Sequence, residues 1–138
     1  MPDAAAVLVD AGALIALQDI DDAEHARAVD ELRRVREPLA TVWPALAEAM
    51  HMLRGFPRGR SNLCDMVSDG TLTILDLAPS EFPRMKELMA KYADLPMDFA
   101  DAALVRVAER DRLTRIITFD RDFHVYRLPR RGRFTVLP

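Results

Sequence analysis

Two apolar runs in this sequence end abruptly in acid: AAAVLVD stops at Asp10, and TRIITFDRD stops at Asp120 and Asp122. An aspartate at the end of a buried strand is held rigidly at the sheet's edge, where the ligands of open parallel sheets bind. One such residue is ordinary, because aspartate forms turns and caps helices. Two at the same end of one sheet are less so. Three more acids lie in helical text: Asp98 and Asp101 open DFADAALV, and Glu48 lies within WPALAEAMHML. Each has a plain structural explanation when taken alone. Asp98 with Asp101 three residues on reads as a helix cap, and Glu48 falls away from Trp43, Leu46, Ala47 and Met50, on a solvated polar face. Gathered in one place, Asp10, Glu48, Asp101 and Asp120 would repel one another and raise their pKa values unless a cation compensated them. A hard divalent ion that prefers oxygen, Mg2+ or Mn2+, is the fitting counter-charge, and no His/Cys ligand set points to zinc. Carboxylate-held ions of this kind suit phosphodiester cleavage, where they activate a water, neutralise the phosphate and stabilise the leaving oxygen.

Other chemistries find less support. Glu48 and His51 have the Glu-x-x-His spacing of a carboxylate-bridged di-iron site, but such sites need two copies in a helix bundle. His25 and His124 pair recognisably with no serine or cysteine nucleophile, and no Walker or dinucleotide-type glycine motif occurs. A haloacid-dehalogenase-type phosphatase also starts from an aspartate after a first strand. It needs a second acid two residues on, where Gly12 stands, and a strand-end lysine, whereas Lys86 and Lys91 lie in a helical segment. The lone Cys64 excludes an internal disulfide framework, fits a reducing compartment and reads as a small buried apolar side chain.

The elements that must position the acids follow from hydrophobic pattern. Residues 4–9 form a continuous apolar run suited to a strand buried on both faces. Gly12 permits a turn into a short helix, ALIALQ. A second helix spans about Asp22 to Arg36, capped by Asp21 or Asp22, with Ala26, Val29 and Leu32 at helical spacing. Pro38 ends it, LATV is a second strand, and WPALAEAMHML is a helix with Pro44 in its first turn. Residues 54–60 read as a Gly/Pro/Arg loop, and SNLCDMVSDG as a helix closed by Gly70. TLTILDL is a strand by its β-branched content. Helices follow over Ser80 to about Tyr92 and over FADAALVRVAER, then the strand TRIITF and a last edge strand, FTVL. Strands alternating with helices predict one three-layer α/β/α domain over residues 1–138, with a central, mainly parallel sheet.

Composition agrees. The chain has 138 residues, 50% apolar and 30% charged, enough to bury a core without a staple. Its most apolar stretch carries Asp10, which is costly in lipid, and lacks the basic start of a signal peptide. The expectation is a cytoplasmic protein without a membrane span. A net charge of −3, from 19 basic and 22 acidic residues, argues against binding through diffuse positive charge. Local arginines remain in RGFPRGR (Arg54 to Arg60) and RLPRRGR (Arg127 to Arg133), which serve equally as solvated loops.

The order VDAGALIAL, WPALAEAMHML, DFADAALV and IITFDRDF resembles that of a PIN domain, especially the VapC-like toxins of bacterial toxin–antitoxin pairs. The resemblance covers nearly the whole chain. It implies a ribonuclease using Mg2+, with Mn2+ able to substitute, and RNA as substrate. By position, Asp10 is the strand-end ligand, Glu48 the helix carboxylate, Asp101 the third acid and Asp120 the fourth. Asp122 is a further contributor, and Thr118 resembles the hydroxyl residue that often precedes the fourth acid. Asp98 either supports a ligand or simply caps its helix. Gly12 stands where relatives often carry Ser or Thr, which removes a side-chain hydroxyl and leaves the carboxylates intact. The resemblance further implies a homodimer held inactive by a small antitoxin whose tail enters the active-site groove. The alternative from another class is a PIN-like module that binds RNA or protein without cutting.

Overall fold

The computed structural model describes residues 6–138. In chain order the elements are β1 (Val7–Val9), α1 (Ala11–Gln18), α2 (His25–Arg34), β2 (Leu39–Val42), α3 (Trp43–Met52) and α4 (Pro57–Ser68). Then come β3 (Leu72–Leu75), α5 (Phe82–Lys91), α6 (Phe99–Asp111), β4 (Arg115–Ile117), β5 (Arg127–Leu128), β6 (Gly132–Arg133) and β7 (Thr135–Leu137). Five strands form one sheet in the order β3-β2-β1-β4-β7, with every neighbouring pair parallel. The remaining two make a small antiparallel hairpin, β5–β6. Residues 4 and 5 of the first expected strand lie outside the described residues.

Alternation along the strands divides the core in two, because successive side chains of a strand point to opposite faces. Leu8, Ala40, Val42 and Ile116 join one cluster with Leu104, Val105, Phe123 and Tyr126. Val7, Val9, Leu39 and Ile117 join the other with Leu14, Leu53 and Leu63. Helices α5 and α6 thus cover one face and α1 and α4 the other. Helix α3 contributes Ala45 to the first cluster and Leu46 and Ala49 to the second. This is the three-layer α/β/α arrangement that the alternating sequence pattern predicts. The strand order reverses at β1, since β2 and β3 lie on one side of it and β4 and β7 on the other. The crevice between β1 and β4 is therefore the switch point, and both acid-terminated runs open onto it.

Several local expectations are corrected. Residues 57–60 are helical: Pro57 occupies the first turn of α4, where its missing N–H costs nothing. Buried Gly59 lets α4 approach α1, and a Cβ there would stand 3.1 Å from that of Gln18. Helix α2 begins only at His25, and neither Asp21 nor Asp22 caps it. Instead the Asp22 side chain accepts the Glu24 N–H at 2.8 Å, forming an Asx turn that keeps the chain non-helical. The buried residues of α2 are Ala28 and Glu31. Gly12 makes no turn, because α1 starts at Ala11. Cys64 is exposed, since Leu63 takes the inward position on α4. Trp43 is 55% exposed and Ala47 is exposed as well, so the solvated side of α3 is not purely polar. Finally, part of the basic RLPRRGR segment is the β5–β6 hairpin, with Arg130 and Arg131 both at φ 60 in its turn.

Candidate functional site

The floor of the crevice is Asp10, one residue beyond β1 and 6% exposed. It caps α1 by accepting the Ala13 N–H at 2.8 Å through Oδ1, the usual service of an aspartate at a helix start. Its Oδ2 accepts the hydroxyl of buried Thr118. That hydroxyl also accepts the Asp120 N–H at 3.0 Å. The threonine before the strand-end acid thus ties the two acid-terminated runs together across β1 and β4. Nearby, Thr41 on β2 donates to the Val9 carbonyl at 2.7 Å, a buried bond that steadies the end of β1.

From the other side of the sheet, α6 brings two acids by its first turn. Asp98 caps the helix, accepting the Asp101 N–H at 2.8 Å. Asp101 is half-buried and accepts the Tyr126 hydroxyl at 3.0 Å. Glu48 reaches the rim from α3 and is exposed. Asp120 is also exposed and caps the turn that follows β4, accepting the Asp122 N–H at 2.9 Å.

Together Asp10, Glu48, Asp98, Asp101 and Asp120 line one cavity of about 390 Å³, joined by Asp22, Glu24, Ala11, Gly12, Ala100 and Phe119. Seven carboxylates face this space, and no basic side chain is among its lining residues. Asp122 does not line it and contributes through its backbone N–H. Sequence reasoning missed Asp22 and Glu24 as wall residues, because their place follows from the Asx turn that delays α2. It also missed Tyr126, whose position in VYR carries no signal until the chain folds.

Charge crowding is visible in proton affinity. Burial pushes the Asp10 carboxyl up to about 6 against the opposing hydrogen bonds from Thr118 and Ala13, with Asp120 and Glu48 adding to the rise. Burial, then the neighbouring Asp98, pushes Asp101 up to about 7. Glu48 is raised by burial and by Asp98, and Asp122 by burial and by Asp120. Tyr126 holds its proton more tightly than an ordinary phenol because it is buried against Asp101.

The donor set is all oxygen, and among the described residues only Glu24 of these acids is ion-paired, with Arg27 at 2.7 Å, which fits a hard divalent cation. Among the described residues, however, no three His, Cys, Asp or Glu side chains already stand in an arrangement that holds a metal. The hydrogen bonds explain why. Asp10 is turned to Ala13 and Thr118, Asp98 and Asp120 to backbone amides, and Asp101 to Tyr126. Asp10, Asp98, Asp101 and Asp120 thus share a cavity while each is held by its own local hydrogen bonds.

Comparison with known proteins gives a consistent set of likenesses. The family model described as PIN domain matches residues 7–128. Ribonuclease VapC26 of Mycobacterium tuberculosis (strain ATCC 25618 / H37Rv) is 27% identical over 135 residues, spanning 96% of this chain and 100% of the relative. Among solved structures, the sarcin–ricin loop cleaving toxin VapC20 of Mycobacterium tuberculosis superposes with a TM-score of 0.83 at 18% identity, over 96% of this chain and 100% of that one. A toxin–antitoxin complex from Klebsiella pneumoniae matches with a TM-score of 0.66 at 20% identity, over 84% and 88% of the two chains. At these identities the two structures speak for the fold.

Proposed function

This chain belongs to the PIN domain family, and from that premise we propose that it is a divalent-metal-dependent ribonuclease acting as the toxin of a toxin–antitoxin pair. The observation that carries the reading is the cavity at the β1/β4 switch point, walled by seven carboxylates and no internal cation. The likeness to a curated ribonuclease over nearly the full length of both chains supports the same substrate class.

In this reading Asp10, Glu48, Asp101 and Asp120 hold Mg2+, with Mn2+ as a substitute. When bound, the ion supplies charge neutralisation for the phosphate and eases deprotonation of the attacking water. The chain's own residues prepare the site for that charge. Thr118 fixes one oxygen of Asp10 and the start of the Asp120 turn, so the two strand-end acids keep a common register. Tyr126 holds Asp101 from behind. Asp98 caps α6 and adds negative charge beside Asp101 and Glu48. Acids that favour a proton this strongly near neutrality also favour exchanging it for a cation.

We assign the same cavity to antitoxin control, since a guanidinium from a partner's tail would mate with the carboxylates. Homodimerisation is supported by an apolar surface beside the cavity, where Trp43, Phe82 and Phe99 are 55%, 46% and 41% exposed and the two phenylalanine rings lie 5.6 Å apart. No helix of the described residues is long and apolar enough to cross a membrane, in keeping with an RNA substrate met in the cytoplasm.

The test is cleavage of a labelled single-stranded RNA by purified protein in Mg2+, in Mn2+ and in EDTA, beside the Asp10→Asn variant. Metal-dependent cleavage lost in the variant is expected. Equal cleavage by both proteins would identify a contaminant, and RNA binding without cleavage in either metal would favour the non-catalytic binding module.

A further inference from the structure

A nuclease whose active cavity is lined with seven carboxylates must still attract a polyanion, and one metal ion neutralises only part of that repulsion. The cavity wall formed by Glu24, Phe119 and Asp120 is shared with a second recess of about 320 Å³, lined also by Arg27, Thr118, Arg121, His124, Val136 and Pro138. Here two guanidinium groups, of Arg27 and Arg121, border the carboxylates directly, with the His124 imidazole beside them. Arg121 and His124 lie three residues apart on the 3-10 turn after β4. Side chains at that spacing eclipse one another on such a turn, so the two stand side by side. Both are exposed, and among the described residues neither takes part in an ion pair.

Arg27 reaches the recess from α2. Its guanidinium lies 5.3 Å from the centroid of the Phe119 ring and is paired with Glu24 at 2.7 Å. Stacking on the ring leaves guanidinium N–H groups free at its edge. The recess is therefore set in place by the site itself: Asp120 caps the turn bearing Arg121 and His124, and Phe119 seats Arg27. Its own acids are Glu24, already paired with Arg27, and Asp120.

We propose that this recess holds the phosphate adjacent to the scissile one in single-stranded RNA, with Arg121 as its main cationic contact and His124 and Arg27 beside it. The inference rests on the ribonuclease reading above and adds a direction to it: the strand crosses the cavity over the Asp120 wall rather than over the Glu48 and Asp98 wall.

The experiment pairs steady-state cleavage with binding of a fluorescein-labelled single-stranded RNA. Arg121→Gln is expected to raise KM roughly tenfold with kcat within about twofold, the signature of lost uniform binding. In the Asp10→Asn background, the slope of log affinity against log salt should become shallower by about 0.7 for the one contact removed. Arg121→Lys should restore most of the slope, because it keeps the charge. The control Arg60→Gln removes an exposed arginine on α4 and should change neither quantity. Unchanged KM and slope in Arg121→Gln, or the same change in Arg60→Gln, would overturn the subsite while leaving the nuclease intact. Displacement of the RNA by an oligoglutamate peptide of equal charge, lost in Arg121→Gln, would reassign the recess to an acidic protein partner. Wild-type protein that neither cleaves nor binds the RNA would remove the ribonuclease reading and this subsite together.

Discussion

At its N-terminal end α6 presents Asp98 and Asp101 to a cavity of like charges, and at its C-terminal end the same helix carries Arg106, Glu109, Arg110 and Asp111 in a paired network. The network extends to α5 and the turn before it. Arg84 binds Glu109 at 2.6 Å, Arg106 binds Glu81 at 3.0 Å, and Arg110 binds Glu81 at 2.6 Å and Asp111 at 2.8 Å. Proton affinities move in opposite senses at the two ends. Burial opposes ionisation of Glu81, yet the Ala78 N–H with Arg110 and Arg106 holds its carboxyl below the usual range. Arg84 and Arg110 keep their protons more firmly than free guanidiniums, through Glu109 for the first and Asp111 and Glu81 for the second. Asp10 and Asp101 are raised instead, although a helix N-terminus favours negative charge at Asp101. One end spends its charges on holding α5 to α6. The other leaves them unspent, which is how a chain keeps a place for a ligand that it does not itself supply.

The sharpest way to break this contrast is to neutralise one acid. Asp10→Asn should lower RNA cleavage by at least about 100-fold, since even outer partners of a metal site cost 10- to 100-fold. The same change should raise the thermal midpoint of the metal-free protein, because it removes a buried charge among like charges. A variant that lost both activity and stability would show Asp10 to be a structural cap only.

Metal and pH sharpen it next. In the fold Asp10 titrates near 6 and Asp101 near 7, against 3.8 for an ordinary aspartate. Their contribution to stability is therefore fully present below about pH 4 and is lost as pH rises through 6 to 7, a cost on the order of 2–3 kcal/mol for Asp10. Glu81 runs the other way: its contribution is present above 4.5 and is lost as pH falls through its lowered folded value. Thermal melts in EDTA should show wild type losing stability relative to Asp10→Asn as pH rises from about 4 through about 6, with the difference level above that. At pH 7.5, Mn2+ at 100 times its Kd should return about 2.7 kcal/mol to wild type and much less to the variant. Parallel pH profiles with no metal response would erase the difference between the two ends of α6.

How far this was legible beforehand depends on what each feature required. Strand alternation and the acid-terminated runs put Asp10 and Asp120 at one sheet edge, because an apolar run ending in Asp has few other places to go. Asp98 and Asp101 followed from helix-start chemistry. The roles of Thr118 and Tyr126 were not legible from pattern: a hydroxyl bridging β1 and β4, and a phenol 25 residues from its acid, exist only after the sheet and α6 pack. Glu48 looked solvated and is, yet it stands on the rim. Exposure and a place on the cavity rim coincide there, and periodicity cannot separate them. At residues 57–60 a Gly/Pro/Arg run read as a loop, whereas Pro57 opens α4, and on that helix Leu63 takes the inward position and leaves Cys64 exposed.

The paired end gives the third test. Glu81→Gln should cost about 1–2 kcal/mol, because it leaves Arg106 and Arg110 short of a charged partner while both stay partly hydrated. Cleavage per folded molecule should be unchanged. A drop in kcat without a drop in melting midpoint would mean that the network communicates with the cavity along α6.

The smallest expected effect comes from Tyr126→Phe, which tests whether the acids are merely crowded or also aimed. The ring is fully buried and packs edge-on against Tyr92 and Phe123, with centroids 5.0 Å away in each case. Phenylalanine keeps those contacts and leaves no sizeable void, and Asp101 is only half-buried, so water can replace the lost donor. Stability should fall by no more than about 1 kcal/mol, the net worth of one hydrogen bond. If the hydroxyl only satisfies Asp101, cleavage and metal affinity will follow stability and barely move. If it aims the carboxylate, the Mn2+ concentration for half-maximal cleavage should rise about tenfold while kcat at saturating metal recovers, since excess ion compensates for a less well-directed ligand. Tyr126 touches neither substrate nor ion in this scheme and acts through Asp101 as a positioning residue. A loss of kcat that saturating Mn2+ does not rescue would instead place the phenol among the groups that contact RNA.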